Sequence, residues 1–157
     1  MTGKVFLVGA GPGDPSLITL RAVELIKKAD VVLYDRLVSK KILSMIPKKA
    51  KAVYVGRAVG DDYKHQNDTN DLMVKYAKIK RNVVRLKGGD PIIFGRGGEE
   101  AEYLKKHKIQ FEIVPGITSG IGSATYAGIP LTHRKFASSV VFVTCLLYTS
   151  PSPRDRG

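Results

Sequence analysis

One glycine-rich segment, VRLKGGDPIIFGRGGEE at positions 84–100, holds the residues best suited to chemistry. An apolar run at 83–86 predicts a short buried strand, and Gly88 and Gly89 follow it closely. Because glycine has no Cβ, a ligand can lie against the backbone at these positions. Asp90 adds a carboxylate at the strand end, which is where open α/β sheets bind their ligands. The segment therefore predicts a cradle for a small molecule.

Titratable side chains also follow two other predicted strands. Asp35 comes after the apolar run 31–34, and Arg57 comes after the run 52–55. Together with Asp90 they form a set that parallel strands would bring to one edge of a sheet. Each of the three could be a solvated loop residue, but their common placement favours a functional site that handles protons or anions.

The rest of the chain supplies alternating strands and helices that would position these residues. Predicted strands lie at 5–8, 31–34, 52–55, 83–86 and 111–114, with a last β segment at 140–143. Helical spacing of apolar residues predicts a helix that begins at Asp14 and further helices at 39–45, 67–80, 99–107 and 121–127. This alternation predicts an α/β fold, with a mostly parallel five-stranded sheet and helices on both faces.

Size and composition exclude several classes of protein. The chain has 157 residues, of which 43% are hydrophobic, and this is enough for one domain with a core. No apolar run approaches the roughly 20 residues of a membrane span, and no signal-peptide pattern is present, so we expect a cytoplasmic protein without a membrane partner. Cys145 is the single cysteine, and His65, His107 and His133 lack metal-binding spacing, so no metal site is expected.

The formal net charge of +12 has two interpretations. It could attract a polyanion, either a nucleic acid or a carboxylate-rich metabolite, or it could reflect a lysine-rich solvated surface without specific meaning. The lysines occur as scattered pairs, mostly near predicted helix ends, which favours the second interpretation. No basic stripe interleaved with aromatic residues supports base stacking, so nucleic acid is not the expected partner.

The segment GAGPGD at 9–14 invites comparison with the dinucleotide-binding fingerprint, Gly-x-Gly-x-x-Gly. The match fails because Asp14 stands at the third glycine, and Pro12 has no N–H to donate to a phosphate. Asp35 lies roughly where a ribose-binding acid would sit, but Arg36 follows it, so support for a nicotinamide cofactor is weak. A tight strand-to-helix turn is the alternative interpretation.

Six segments carry a resemblance to a known family. They are VGAGPGDP (8–15), ADVVLYDRLVS (29–39), VVRLKGGDP (83–91), FGRGGEE (94–100), VPGITS (114–119) and AGIPLTHR (127–134). Together they resemble the uroporphyrinogen-III C-methyltransferases of the tetrapyrrole methylase family. The resemblance implies S-adenosylmethionine as methyl donor and uroporphyrinogen III as the substrate of two C-methylations. The product would be precorrin-2, on the way to siroheme and cobalamin.

The resemblance also implies roles for individual residues. The family residues that bind S-adenosylmethionine correspond to Pro12, Gly88, Gly89, Asp90, Ile93, Thr118 and Ser119. Asp35 matches the proposed proton acceptor, and Arg57 stands where the family usually has a lysine proposed as proton donor. Because an arginine is effectively always protonated, Arg57 is a poor proton donor, but it could still bind a carboxylate. Arg36 and Arg134 are candidate clamps for the carboxylates of the substrate.

The resemblance further implies a division into domains. Residues 1–144 match the N-terminal α/β domain of the family, and 145–157 are expected to be a disordered tail that is not native to it. The second α/β domain of the family, which completes the cofactor pocket, is missing, so the fragment is expected to be inactive alone. A homodimer is expected for the full-length family member. Two rivals are another precorrin methyltransferase of the same class and a basic nucleic-acid-binding α/β domain.

Overall fold

Five strands and five α-helices form the regular structure in the residues that the computed structural model describes, which are 3–56, 64–79 and 81–144. The strands are β1 (Lys4–Gly9), β2 (Val31–Tyr34), β3 (Lys51–Tyr54), β4 (Val83–Lys87) and β5 (Gln110–Val114). The helices are α1 (Leu20–Lys28), α2 (Lys40–Leu43), α3 (Lys64–Lys78), α4 (Gly97–Lys106) and α5 (Ser119–Tyr126). The strands form one sheet in the order β3-β2-β4-β1-β5, and every pairing is parallel. The predicted five-stranded α/β fold is confirmed.

Helices cover both faces of the sheet, as the alternation of elements predicts. β4 is buried along its whole length because β1 and β2 flank it and helices cover it on both sides. Val84 and Leu86 belong to a core shared with α1 and α2, whereas Val83 packs with α3 and α4. Burial of both faces is typical of strands in parallel sheets and accounts for the apolar residues Val83, Val84 and Leu86 in this one.

The connections between strands place a crevice between β1 and β4. The chain passes from β1 to β2 through α1, which lies on one face of the sheet. It passes from β4 to β5 through α4, which lies on the other face. Neighbouring strands whose connections diverge to opposite faces form a topological switch point, and open α/β sheets bind ligands beside it. The fold thus directs a ligand to the carboxyl ends of these two strands.

The loops that follow β1, β4 and β5 approach one another at glycine positions. Gly11 and Gly89 exchange two backbone hydrogen bonds, with N–O distances of 3.1 and 2.8 Å, and their φ angles are positive, at 73° and 65°. A Cβ on Gly9 would lie 2.6 Å from the backbone N of Gly116, and one on Gly116 would overlap the carbonyl oxygen of Gly89. Residues without a Cβ are therefore required where these three loops meet.

The helix predicted to begin at Asp14 is divided into two segments, so that prediction was wrong in part. Asp14 caps only a single 3₁₀ turn, Pro15–Leu17, by accepting a backbone hydrogen bond at 2.8 Å. Ile18 and Thr19 are then extended, and the Thr19 hydroxyl accepts a hydrogen bond from the N–H of Ala22 to begin α1. The apolar spacing missed this break because a second capping residue, Thr19, restarts the helix.

The last β segment, predicted at 140–143, is not a strand. It pairs with no strand in the part of the chain that the structure describes, and Val141 and Val143 are 79% and 67% exposed. The sequence has a high propensity for β structure, but a strand also needs a neighbouring strand to pair with and a surface to pack against. The prediction was wrong because it used propensity alone.

We expect Gly116→Ala to lower the free energy of unfolding by about 1–3 kcal/mol, because the added methyl group must push the loop after β5 away from Gly9 and from the carbonyl of Gly89. Gly98→Ala is a matched control, since no atom lies within 4 Å of the Cβ it would add. The control should be neutral or stabilise α4 by up to about 1 kcal/mol. Urea unfolding followed by circular dichroism measures both variants, and equal stabilities would contradict the close approach of the loops.

Candidate functional site

A cavity of about 530 Å³ opens at the carboxyl edge of the sheet, beside the switch point between β1 and β4. Its lining residues are Gly11, Pro12, Asp35, Leu37, Val55, Gly56, Thr69, Arg85, Lys87, Gly88, Gly89, Asp90, Ile93, Phe94, Gly95, Arg96, Thr118 and Ser119. The loops after all five strands contribute to this lining, as the sequence predicts for a shared edge. The volume lies in the range of small-molecule sites.

All seven residues predicted to bind a cofactor line this cavity. They are Pro12, Gly88, Gly89, Asp90, Ile93, Thr118 and Ser119. Asp35, the predicted proton acceptor, lines it as well. These residues follow four different strands, and the fold brings them to one place. Their individual roles remain predictions.

The three predicted arginines are placed differently. Arg36 and Arg134 are exposed, and neither is among the residues that line the cavity. Arg57 lies outside the described residues, although Gly56 before it contributes to the lining. The predicted tail, 145–157, also lies outside the described residues. The structure therefore does not bring Arg36 and Arg134 into the cavity with Asp35.

The carboxylate of Asp90 is engaged by backbone donors on both of its oxygens. Oδ1 accepts hydrogen bonds from the N–H groups of Ile92 and Ile93 at 2.8 and 3.2 Å. Oδ2 accepts one from the N–H of Gly116 at 3.0 Å. Asp90 thus joins the loop after β4 to the loop after β5 and fixes two walls of the cavity relative to each other. The Asp90 carboxylate therefore helps to hold the shape of the cavity.

Asp35 is held from two sides at the cavity wall. Its Oδ1 accepts a hydrogen bond from the N–H of Leu37 at 3.0 Å, within the turn that follows β2. Its Oδ2 lies 3.4 Å from Nη2 of Arg85, and the Asp35 side chain is 20% exposed. The carboxylate is therefore accessible but has a fixed orientation, which suits a group that accepts a proton at a defined position.

Behind Asp35 lie three charged side chains to which the sequence patterns assign no role; we call Arg85, Lys87 and Glu100 the buried charge cluster. Glu100 is fully buried in the first turn of α4, and its Oε1 accepts hydrogen bonds from Arg85 Nε at 3.2 Å and Lys87 Nζ at 3.0 Å. Arg85 and Lys87 are themselves buried, and both line the cavity. Burial and the positive charge of Arg85 lower the pKa of Lys87, and Glu100 offsets part of this effect.

The sequence contains one signal for this cluster, in the alternation along β4. Arg85 and Lys87 alternate with apolar residues, so both cations are on one face of a strand that is fully buried. Buried lysine and arginine side chains are rare unless they are paired, so two of them on a central strand indicate a partner nearby. Glu100 is this partner, and it follows Arg85 by 15 positions and Lys87 by 13 positions in the sequence. Only the fold reveals that the Glu100 side chain turns inward.

The loop between β4 and α4 adds a wall with unusual backbone conformation. Phe94 and Arg96 have φ angles of 52° and 58°, which residues with a Cβ rarely adopt. Both line the cavity, and a hydrogen bond of 2.8 Å from the N–H of Gly97 to the carbonyl of Pro91 closes the loop. Strained residues of this kind cluster at ligand sites, where surrounding contacts fix them.

The chemistry available in the cavity is that of backbone groups, hydroxyls and charged side chains. In the described ranges, no group of three or more His, Cys, Asp or Glu side chains is arranged to hold a metal ion. The same residues include no helix that is both long and apolar enough to cross a membrane. The arrangement can bind a polar small molecule against the backbone and present a fixed carboxylate to it.

Comparison with known proteins gives consistent matches. The family model described as Tetrapyrrole (Corrin/Porphyrin) Methylases matches residues 4–156. A uroporphyrinogen-III C-methyltransferase from Bacillus subtilis is 57% identical over 142 residues, which cover 90% of this chain and 55% of that protein. A siroheme synthase from Nitrosomonas europaea is 58% identical over 143 residues, which cover 91% of this chain and 30% of that protein.

A solved structure gives the same match in three dimensions. It is a uroporphyrin-III C-methyltransferase from Thermus thermophilus complexed with S-adenosylhomocysteine, with a TM-score of 0.71 and 47% identity. The match covers 87% of this chain and 53% of that one, so the chain spans about half the length of this protein and of the Bacillus relative. The sequence resemblance, the fold and the family match agree: the chain belongs to the tetrapyrrole methylase family.

Proposed function

We propose that this chain forms the methyl-donor site of a uroporphyrinogen-III C-methyltransferase. The whole protein would transfer two methyl groups from S-adenosylmethionine to carbon atoms of uroporphyrinogen III and release precorrin-2, for siroheme and cobalamin synthesis. The observation that carries this proposal is that all seven predicted donor-binding residues line one cavity at the switch point. The Bacillus relative is named for this activity, and the Thermus protein was solved with the demethylated form of the donor.

The lining of the cavity suits S-adenosylmethionine because much of it is bare backbone. Gly88 and Gly89 carry no side chain, so a ligand can approach their peptide groups directly. Thr118 and Ser119 add hydroxyl groups that can donate and accept hydrogen bonds, and Ile93 adds apolar surface. A mixture of apolar surface with a few fixed polar groups is typical of sites for small organic molecules.

The residues of the chain contribute alignment and a proton acceptor. When bound, S-adenosylmethionine supplies an electrophilic methyl group on a positively charged sulfur. The glycine-containing loops after β1 and β4 hold the donor so that a carbon of the macrocycle can lie in line with that methyl group. Asp35 accepts the proton that the macrocycle loses, and the N–H of Leu37 and the guanidinium of Arg85 fix its carboxylate for this step.

Charge complementarity supports a substrate with several carboxylates. The chain has a net charge of +12, and we assign the exposed Arg36 and Arg134 to carboxylate binding. In this proposal Arg57 also binds a carboxylate but cannot serve as an efficient proton donor. A cytoplasmic location and a homodimer of the whole protein belong to the same proposal.

The two rival functions make different predictions. Another precorrin methyltransferase would share the donor site but prefer a different macrocycle, and 57% identity with the Bacillus enzyme favours uroporphyrinogen III. A nucleic-acid-binding domain would instead bind RNA with a strong dependence on salt and would not need the cavity.

Isothermal titration calorimetry should detect binding of S-adenosylhomocysteine to this chain, and Gly89→Ala should weaken it by about tenfold or more. The added methyl group occupies space at the backbone wall next to Thr118. Gly128→Ala is the matched control, because Gly128 has a similar φ of +69° but does not line the cavity. Both variants should lose about 1 kcal/mol of stability from the left-handed conformation. Equal affinities, or RNA binding without S-adenosylhomocysteine binding, would contradict the proposal.

In the whole protein, since this chain alone is expected to be inactive, Asp35→Asn should slow methyl transfer to uroporphyrinogen III by about 100-fold or more, which is the usual contribution of a positioned general base. Its affinity for S-adenosylhomocysteine should stay close to that of the wild type, because the glycine loops are unchanged. Transfer of a labelled methyl group measures the rate, and Glu102→Gln, an exposed acid on α4, serves as control. A wild-type rate in the Asp35 variant would exclude its role as proton acceptor.

In the whole protein, Arg57→Lys should raise the turnover number and leave the KM for uroporphyrinogen III nearly unchanged. Lysine can release its proton where arginine cannot, and both can bind a carboxylate. Steady-state kinetics of the two proteins test this. An unchanged turnover number would indicate that position 57 does not donate a proton.

A further inference from the structure

Glu100 lies at the centre of the buried charge cluster, yet it is not part of the cavity lining. Its Oε1 accepts hydrogen bonds from both Arg85 and Lys87, and its Oε2 has no hydrogen-bond partner. A buried carboxylate must be strongly paired to offset the loss of hydration, and apolar residues often stabilise such a position equally well. A need to hold Arg85 and Lys87 in fixed positions explains this buried carboxylate better than stability alone.

Arg85 extends the cluster from the core to the cavity wall. Its Nε donates to Glu100, its Nη1 donates to the carbonyl of Leu86 at 3.1 Å, and its Nη2 faces Oδ2 of Asp35 at 3.4 Å. Because the guanidinium group is planar and rigid, fixing Nε and Nη1 also fixes where Nη2 lies. Glu100 and the Leu86 carbonyl together therefore restrain the side of the guanidinium group that faces Asp35.

We propose that Glu100 is a positioning residue, which fixes Arg85 from the core so that Arg85 orients the Asp35 carboxylate at the cavity wall. This inference rests on the proposed function, in which Asp35 accepts a proton. Lys87 contributes a second positive charge on the same Glu100 oxygen. With one negative charge between two cations, Glu100 does not neutralise Arg85 fully, and the guanidinium retains attraction for Asp35.

The alternative is an ion pair that only holds α4 against β4. Such a pair would affect the stability of the domain but not the conformation of Asp35. The two explanations differ in whether a substitution of Glu100 alters the turn after β2. In that turn the N–H of Leu37 donates a hydrogen bond to Asp35.

Nuclear magnetic resonance of Glu100→Gln tests the proposal in this chain, because glutamine keeps the shape of the side chain and removes its charge. We expect water exchange of the Leu37 amide to accelerate by about tenfold, since a loosened Asp35 releases that hydrogen bond more often. The Arg85 Nε–H signal should shift as well. Glu102→Gln, at an exposed position on the same helix, is the matched control and should change neither signal. Unchanged Leu37 exchange in folded Glu100→Gln would overturn the proposal.

Asp35→Asn gives a second measurement that does not depend on whether Glu100→Gln folds. Coupling between two sites is reciprocal, so removing the charge of Asp35 should shift the Arg85 Nε–H signal. An unchanged signal would overturn the proposal, because Arg85 would then not connect the two carboxylates. Binding of S-adenosylhomocysteine to the wild type is measured in parallel. A wild-type chain that does not bind S-adenosylhomocysteine would contradict the proposed function. The measurements at Leu37 and Arg85 would still test whether Glu100 acts on Asp35 through Arg85.

Discussion

Gly116 lies so close to Gly9 and to the carbonyl of Gly89 that no side chain fits between them, and the loops after β1, β4 and β5 meet backbone to backbone. The reciprocal hydrogen bonds between Gly11 and Gly89 and the three accepted by Asp90 hold this contact together. The walls of the cavity are therefore set by main-chain geometry, which needs little reordering when a ligand binds. Stability of the domain and the shape of the site depend on the same few atoms.

Three carboxylates of this part of the fold, Asp90, Asp35 and Glu100, have different surroundings. Asp90 is engaged by backbone donors and holds two loops together. Asp35 is partly exposed and oriented by one backbone donor and one guanidinium, so it is the carboxylate that can meet a ligand. Glu100 has no exposure and is paired with two cations. On these differences in burial and partners, rather than in side-chain chemistry, we base the structural role of Asp90 and the proposed roles of Asp35 as proton acceptor and Glu100 as positioning residue.

The location of the site at one edge of the sheet could be predicted from local features of the sequence, whereas the individual donor-binding residues were predicted from the family resemblance. Alternating strands and helices determine which loops share the carboxyl edge, and glycines mark where the backbone must be bare. The buried charge cluster could not be predicted in full, because the side-chain direction of Glu100 depends on how α4 packs on β4. The segment 140–143 was wrongly predicted as a strand, since propensity does not reveal whether a pairing edge is present. The break in the helix after Asp14 was missed because Asp14 and Thr19 each cap a separate helical segment within one apolar pattern.

Above all, we propose that the glycine-lined cavity at the switch point binds the methyl donor. Mapping amide chemical shifts of this chain during a titration with S-adenosylhomocysteine tests it most directly. We expect saturable shifts concentrated at Gly88, Gly89, Thr118 and Ser119. Saturable shifts that avoid these residues, or no saturable shifts at all, would contradict it.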